Sequence, residues 1–212
     1  MSQKRSPLNP MPDFKIDKPH PDRPYGAYIF DCDGTLAHSM PLHLAAWNHG
    51  LKTVQAPLRL SGDQFMGVAG MALDETIAFW NRTHSLKIDA KMAIAAKNQY
   101  FLERRDTVPP MEPVVAFARA LAAEEIPIAV ASGGHREDVV ETLKVIGVSE
   151  LFDVVVTADD VRRSKPDPEL FLLAAQRMGV PPEACCVLED SELGIQAAET
   201  AGMGWIRIPV YL

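Results

Sequence analysis

From residue 112 onward two kinds of segment alternate, and this alternation restricts the fold more than any other feature of the chain. Helical stretches at Glu112–Glu125, Arg136–Ile146, Pro168–Met178 and Glu192–Ala201 alternate with short apolar runs at Ile126–Ala131, Asp153–Thr157, Cys185–Glu189 and Trp205–Ile208. Gly147, Gly179 and Gly202 stand just past three of the helices, where a glycine typically ends one. Strands joined by helices imply right-handed βαβ units and a mainly parallel sheet, so the expected class is α/β with a Rossmann-like core. One more strand-like run, Tyr25–Phe30, precedes the series.

Between that first strand and the series the pattern is helical throughout, at Pro41–Leu51, Met71–Arg82 and Asp89–Arg105. Ser39 and Asp89 are placed to cap the first and last of these helices. Pro109-Pro110 marks the return to alternation. The expected organisation is therefore a core of residues 25–37 and 109–212, interrupted by an inserted helical cap over 38–108. Residues 1–24 carry Pro7, Pro10, Pro12, Pro19, Pro21 and Pro24 among few apolar side chains, which suits an extended arm.

Composition excludes some roles. A net charge of -7, with no Lys/Arg stripe, leaves no footprint for nucleic acid. No stretch has the length of a membrane span and no apolar run near Lys4 and Arg5 reads as a signal peptide. Cys32, Cys185 and Cys186 form no C-x-x-C pair and read as small buried hydrophobes of a reducing compartment, with Cys185 and Cys186 on opposite faces of one strand. A cytoplasmic protein, monomeric or weakly dimeric, is expected.

Four polar clusters sit at the exits of apolar runs or just before helices. They are Asp31-Cys32-Asp33-Gly34-Thr35, Ser132-Gly133-Gly134, Lys165-Pro166-Asp167 and Glu189-Asp190-Ser191. In an open α/β sheet ligands bind beyond the carboxyl ends of the strands, so these distant clusters can meet in one pocket. Two carboxylates at spacing two, a small hydroxyl, a lysine and a second acidic pair suit a phosphate and a divalent cation, and point to an enzyme.

With the four clusters in this order, residues 25–212 resemble the haloacid dehalogenase superfamily, in the helical-cap branch that includes β-phosphoglucomutase and small sugar-phosphate phosphatases. The stretch FLLAAQRMGVPPEACCVLEDSELGIQAAETAGM is especially typical, and the resemblance is closest to the fructose-1-phosphate phosphatase-like members. It implies Asp31 as nucleophile, Asp33 as general acid and base, Ser132 with the Gly133 and Gly134 amides on the phosphoryl oxygens, and Lys165 as the neutralising cation. It also implies Mg²⁺ held by Asp31, Asp190 and the Asp33 carbonyl, with Glu189 supporting Asp190 or a metal-bound water.

In the cap, His43 and Trp47 share a helix face, and the resemblance implies that Ser39 sits at the hinge. His43, Gly67 in the loop Gly67-Val68-Ala69-Gly70, and Arg136 are the candidate substrate contacts; His135 and Trp47 are weaker ones. The mutases carry an arginine where this chain has Gly70, which favours hydrolysis over isomerisation. The expected activity is phosphate release from a small phosphorylated metabolite. A β-phosphoglucomutase-like isomerase and a catalytically silent binding protein are the alternatives; a dehalogenase is disfavoured because it would not need Asp33.

Overall fold

The computed structural model describes residues 25–212, so the proline-rich segment 1–24 lies outside the described residues. Five strands, β1 (Ala27–Phe30), β2 (Ile128–Ala131), β3 (Val154–Val156), β4 (Cys185–Glu189) and β5 (Gly204–Arg207), form one sheet. Their order is β3-β2-β1-β4-β5, and every neighbouring pair is parallel. The chain runs outward from β1 to β3 and then crosses to the other side of β1 for β4, so β1 lies at the point where the winding reverses. In such sheets that point is where the crevice opens.

Register brings the polar clusters together. Phe30 is paired with Val130 on one side and Leu188 on the other. Asp31 therefore leaves β1 level with Ala131 and Glu189, with Ser132 and Asp190 one residue further on. The Asp31 amide still donates to Leu188 and the Ser132 amide to Val156, both at 3.0 Å, so both residues remain tied to the sheet at its edge.

Alternation along the strands separates two cores. Tyr28, Phe30, Val130, Cys186 and Leu188 face α5 (Glu112–Ala123) and α6 (Arg136–Val145). Ala27, Ile29, Ala131, Cys185 and Val187 face α7 (Glu169–Met178) and α8 (Glu192–Thr200). Cys185 and Cys186 thus go to opposite faces, and all three cysteines are buried and free. A fully buried side chain such as Phe30 contributes roughly 1.5–3 kcal/mol from the removal of apolar surface from water.

The insertion forms a third cluster around Trp47, Leu51, Phe65, Ile77 and Trp80. It is built from α1 (Met40–Thr53), α2 (Gly62–Met66), α3 (Leu73–His84) and α4 (Ala90–Leu102). Asp89 caps α4 through the Met92 amide at 3.0 Å, as its position suggested. Ser39 does not cap α1: its backbone is already in the right-handed helical region, not the extended one a capping side chain needs, and its hydroxyl is committed to Asp33. The five-residue α2 went unseen in the sequence because it is too short to show helical periodicity; a capping box between Ser61 and Gln64 defines its start. Among the described residues no helix is long and apolar enough to cross a membrane.

Candidate active site

A cavity of about 170 Å³ lies between the carboxyl ends of β1, β2 and β4 and the helices of the insertion. Asp31, Asp33, Ser132, Gly133, Gly134, Lys165, Glu189 and Asp190 line its sheet side. His43, Trp47, Phe65, Lys97 and the run Val68–Met71 line the other.

Lys165 is the hub of the sheet side. Its ammonium donates to Asp31 Oδ1 at 2.6 Å and to Glu189 Oε2 at 2.7 Å, with the lysine side chain only 4% exposed. Burial works against its charge, but Asp31 and Glu189 outweigh burial and hold its pKa above the ordinary lysine value. The second Glu189 oxygen accepts from the Ser191 hydroxyl at 2.6 Å and from the Ser191 amide at 3.1 Å. Both oxygens of Glu189 are therefore engaged by protein groups.

Asp190 differs. Its Oδ1 has a long hydrogen bond from Thr35, 3.4 Å, and its Oδ2 is buried with no hydrogen-bond partner among the described residues. A buried carboxylate oxygen without a partner is costly unless something else satisfies it. Gly34, at φ +84°, makes room for that oxygen, since a Cβ there would collide with it. Asp31, Glu189 and Asp190 offer oxygens within 4.8 Å of one another, and three carboxylates face one lysine. Burial, then the opposing pull of Lys165 and the repulsion of Glu189, leave the Asp31 carboxyl raised to about 8. Burial and the charges of Glu189 and Asp31 likewise push Asp190 well above the carboxylate range. An all-oxygen donor set with excess negative charge and an orphaned oxygen fits a hard divalent cation. These residues can hold one.

Asp33 belongs to a different network. Its Oδ1 accepts from the Ser39 hydroxyl at 2.7 Å and lies 3.1 Å from His43 Nε2. Burial pushes this carboxyl up, but His43 and Ser39 prevail and bring it down to about 2. The His43 ring is stacked on Phe101, centroids 4.2 Å apart and planes 12° from parallel, which fixes its direction. The two aspartates at spacing two thus have opposite environments, one among carboxylates and one beside a histidine.

Of the sequence-derived candidates, Gly133, Gly134 and His43 line the cavity, while Gly67 and Arg136 do not. Gly67 ends α2, and the loop enters the cavity only from Val68. Arg136 is drawn away by Asp160 at 2.6 Å and by the Val155 carbonyl at 3.0 Å, and His135 pairs with Asp159 at 2.8 Å. Lys97, which the sequence analysis did not single out, lines the cavity and is 6% exposed. Ala93, Lys97 and Phe101 recur every four residues on the buried face of α4, so a lysine inside an apolar stripe was the available signal. Burial lowers its pKa, partly offset by Asp33 and Asp138, and its ammonium lies 5.5 Å from the Phe101 ring centre and 5.8 Å from that of Trp47.

Gly70 has a structural reason to be glycine. It adopts φ +87°, a region L side chains rarely enter, and a Cβ there would lie 3.2 Å from Ser191 Oγ and 3.5 Å from Leu193 Cβ. The loop of the insertion closes on the turn after β4 at this point. An arginine side chain would have to start from that strained and crowded position.

A profile of the haloacid dehalogenase-like hydrolases matches residues 25–202. The chain is 35% identical over 190 residues to fructose-1-phosphate phosphatase YqaB of Escherichia coli, covering 87% of this chain and 96% of that one. It is 27% identical to the β-phosphoglucomutase of Bacillus subtilis, covering 84% and 80% of the two chains. Among solved structures it is similar to CbbY of Rhodobacter sphaeroides in complex with phosphate, with TM-score 0.76, 26% identity and coverage of 88% and 87%. The chain belongs to the haloacid dehalogenase-like hydrolase family and is an enzyme of the phosphoric monoester hydrolase class.

Proposed function

We propose that this protein is a Mg²⁺-dependent phosphatase that releases phosphate from a small sugar phosphate through an aspartyl-phosphate on Asp31. The observation that carries this reading is the convergence of Asp31, Lys165, Ser132 and the orphaned Asp190 oxygen on one cavity. A cavity of about 170 Å³ suits a small metabolite rather than a polymer.

Lys165 holds Oδ1 of Asp31, which leaves Oδ2 to attack phosphorus. As the Asp31–phosphorus bond forms and the ester bond breaks, the leaving oxygen takes a proton from the carboxylic acid form of Asp33. Water then attacks phosphorus, gives a proton back to Asp33, and the bond to Asp31 breaks, so the sum is ester plus water to alcohol plus phosphate. Ser132 Oγ, which accepts from the Gly134 amide at 3.2 Å, and the Gly133 amide hold the phosphoryl oxygens in both steps, and Lys165 offsets their charge. Asp33 kept ionised by His43 and Ser39 is in the state ready to accept the proton of water. Asp31, Asp190 and the Asp33 carbonyl would hold Mg²⁺, which supplies positive charge against the phosphoryl oxygens.

A screen of phosphorylated metabolites, fructose 1-phosphate among them, tests the reading directly. Phosphate release with Mg²⁺ that vanishes with chelator is the expected result; full activity in metal-free buffer contradicts it. The different engagement of the two acids after β4 gives a finer expectation. Asp190→Ala raises the Mg²⁺ concentration for half-maximal rate by well over about a hundredfold, and Glu189→Ala by about ten- to a hundredfold, the scale of an orienting group. Equal shifts in the two titrations would make Glu189 a direct ligand.

Gly70 also bears on the isomerase alternative. A mutase must grip a second phosphate while its intermediate turns over, and the loop has no arginine for that grip. Given β-glucose 1-phosphate with a trace of the 1,6-bisphosphate, the protein is expected to form inorganic phosphate faster than glucose 6-phosphate. The reverse ratio would replace the hydrolase with an isomerase.

A further inference from the structure

The segment that follows β5 passes between the two parts of the molecule. Ile208 is buried in the sheet's hydrophobic cluster, 1% exposed, and Tyr211 packs back onto that same cluster. Between them, Val210 packs onto the other side, against the cluster inside the helical insertion. The neighbours Val210 and Tyr211 thus go to different clusters, so a single short run touches two cores at once. Leu212 continues the contact. Its Cδ1 lies 2.8 Å from where a Cβ on Gly62 would sit, so the half-exposed Leu212 side chain lies against the start of α2.

Gly62 is the first residue of α2, and α2 leads straight to the cavity wall. Phe65 within the helix and Val68 to Met71 just after it line the cavity, and Gly70 closes on Ser191. The covalent links between insertion and sheet are two stretches of chain that lie side by side, with the His38 backbone amide donating to the Pro109 carbonyl at 2.9 Å. With both links at one end, the contacts elsewhere along the insertion decide how it sits on the sheet. The contact of residues 210–212 falls on α2 and the cap cluster, and is one of these.

We propose that residues 208–212 form a clasp that holds α2 and its loop against the sheet, with Val210 and Leu212 as positioning residues for the substrate-facing wall. The clasp sets how tightly a substrate is enclosed, while the groups that handle phosphorus stay on the sheet side and do not depend on it. This deepens the phosphatase reading and its kinetic part rests on it. Its mechanical part does not.

Val210→Ala removes packing from the cap cluster, and Gly62→Ala pushes Leu212 off the same contact from the opposite side. The first measurement is amide hydrogen exchange in the full chain. Exchange at residues 62–71 is expected to quicken about tenfold in both variants while β1, β2 and β4 keep their protection, the pattern of a local opening. The second measurement compares substrates: KM for fructose 1-phosphate rises about fivefold or more, with the kcat for acetyl phosphate, too small to use the wall, unchanged within about twofold. Unaltered exchange at 62–71 in both variants overturns the clasp. Loss of protection in the central strands, with both substrates slowed alike, overturns it too, since that marks a general loss of stability. Should the wild type release no phosphate from either compound, the phosphatase reading fails and the exchange result alone decides the clasp.

Discussion

Asp31→Asn is expected to lose at least about a thousandfold in kcat while remaining folded, because an amide oxygen is a poor nucleophile and the covalent route disappears with it. Stability is expected to move the other way. Asp31 stands with Glu189 and Asp190 around a single lysine, and burial, opposed by Lys165 and aided by the repulsion of Glu189, already pushes its carboxyl up to about 8. Asparagine keeps the shape and can still accept the Lys165 hydrogen bond, but it withdraws one of the crowded charges. The melting temperature in metal-free buffer is therefore expected to equal or exceed that of the wild type. Phosphate release above a tenth of the wild-type rate would remove Asp31 from the nucleophile's role. A lower melting temperature would mean that the ion pair with Lys165 outweighs the repulsion.

Asp33→Asn separates the acid from the nucleophile by its dependence on the leaving group. A positioned acid typically contributes about 10²- to 10⁴-fold, and only where the leaving oxygen needs a proton. The variant is expected to lose about a thousandfold on a sugar phosphate, whose alkoxide is a poor leaving group, and markedly less on p-nitrophenyl phosphate. Equal losses on the two substrates would show that Asp33 is not the acid. The environment adds a second readout. His43 and Ser39 hold the Asp33 carboxyl down to about 2, so its acid form is scarce in this arrangement. Removing the imidazole in His43→Ala relaxes Asp33 toward the ordinary carboxylate range. The acidic limb of the pH–rate profile then moves to higher pH, because the base needed in the second step is protonated sooner as pH falls.

These expectations depend on a site whose sheet side is far more legible in the sequence than its cap side. Asp31, Ser132, Lys165 and Asp190 follow strands or precede a helix in a fixed order, and a parallel sheet has to bring such exits together. Lys97 lacked such a marker. It sits in the middle of a helix, and its place in the stripe of Ala93 and Phe101 does not by itself separate a lysine aimed into a cavity from one whose stem is buried while its head reaches solvent. Arg136 failed for the complementary reason. Its place two residues beyond the Ser132 loop is right for a ligand contact, but Asp160, 24 positions away, captures it.

What the sequence determined by itself was whatever depends on neighbours along the chain. Strand and helix periods, the glycine stops, the opposite facing of Cys185 and Cys186 and the Asp89 cap all follow from contacts within a few residues. Tertiary structure decided the rest, because it depends on distances between residues remote in sequence. It gave Ser39 to Asp33 instead of to a helix cap and filled both oxygens of Glu189 while leaving one of Asp190 unpartnered. It also pressed Gly70 against Ser191. Charge and burial act through space, so two aspartates only two residues apart were driven in opposite directions, Asp31 up to about 8 and Asp33 down to about 2.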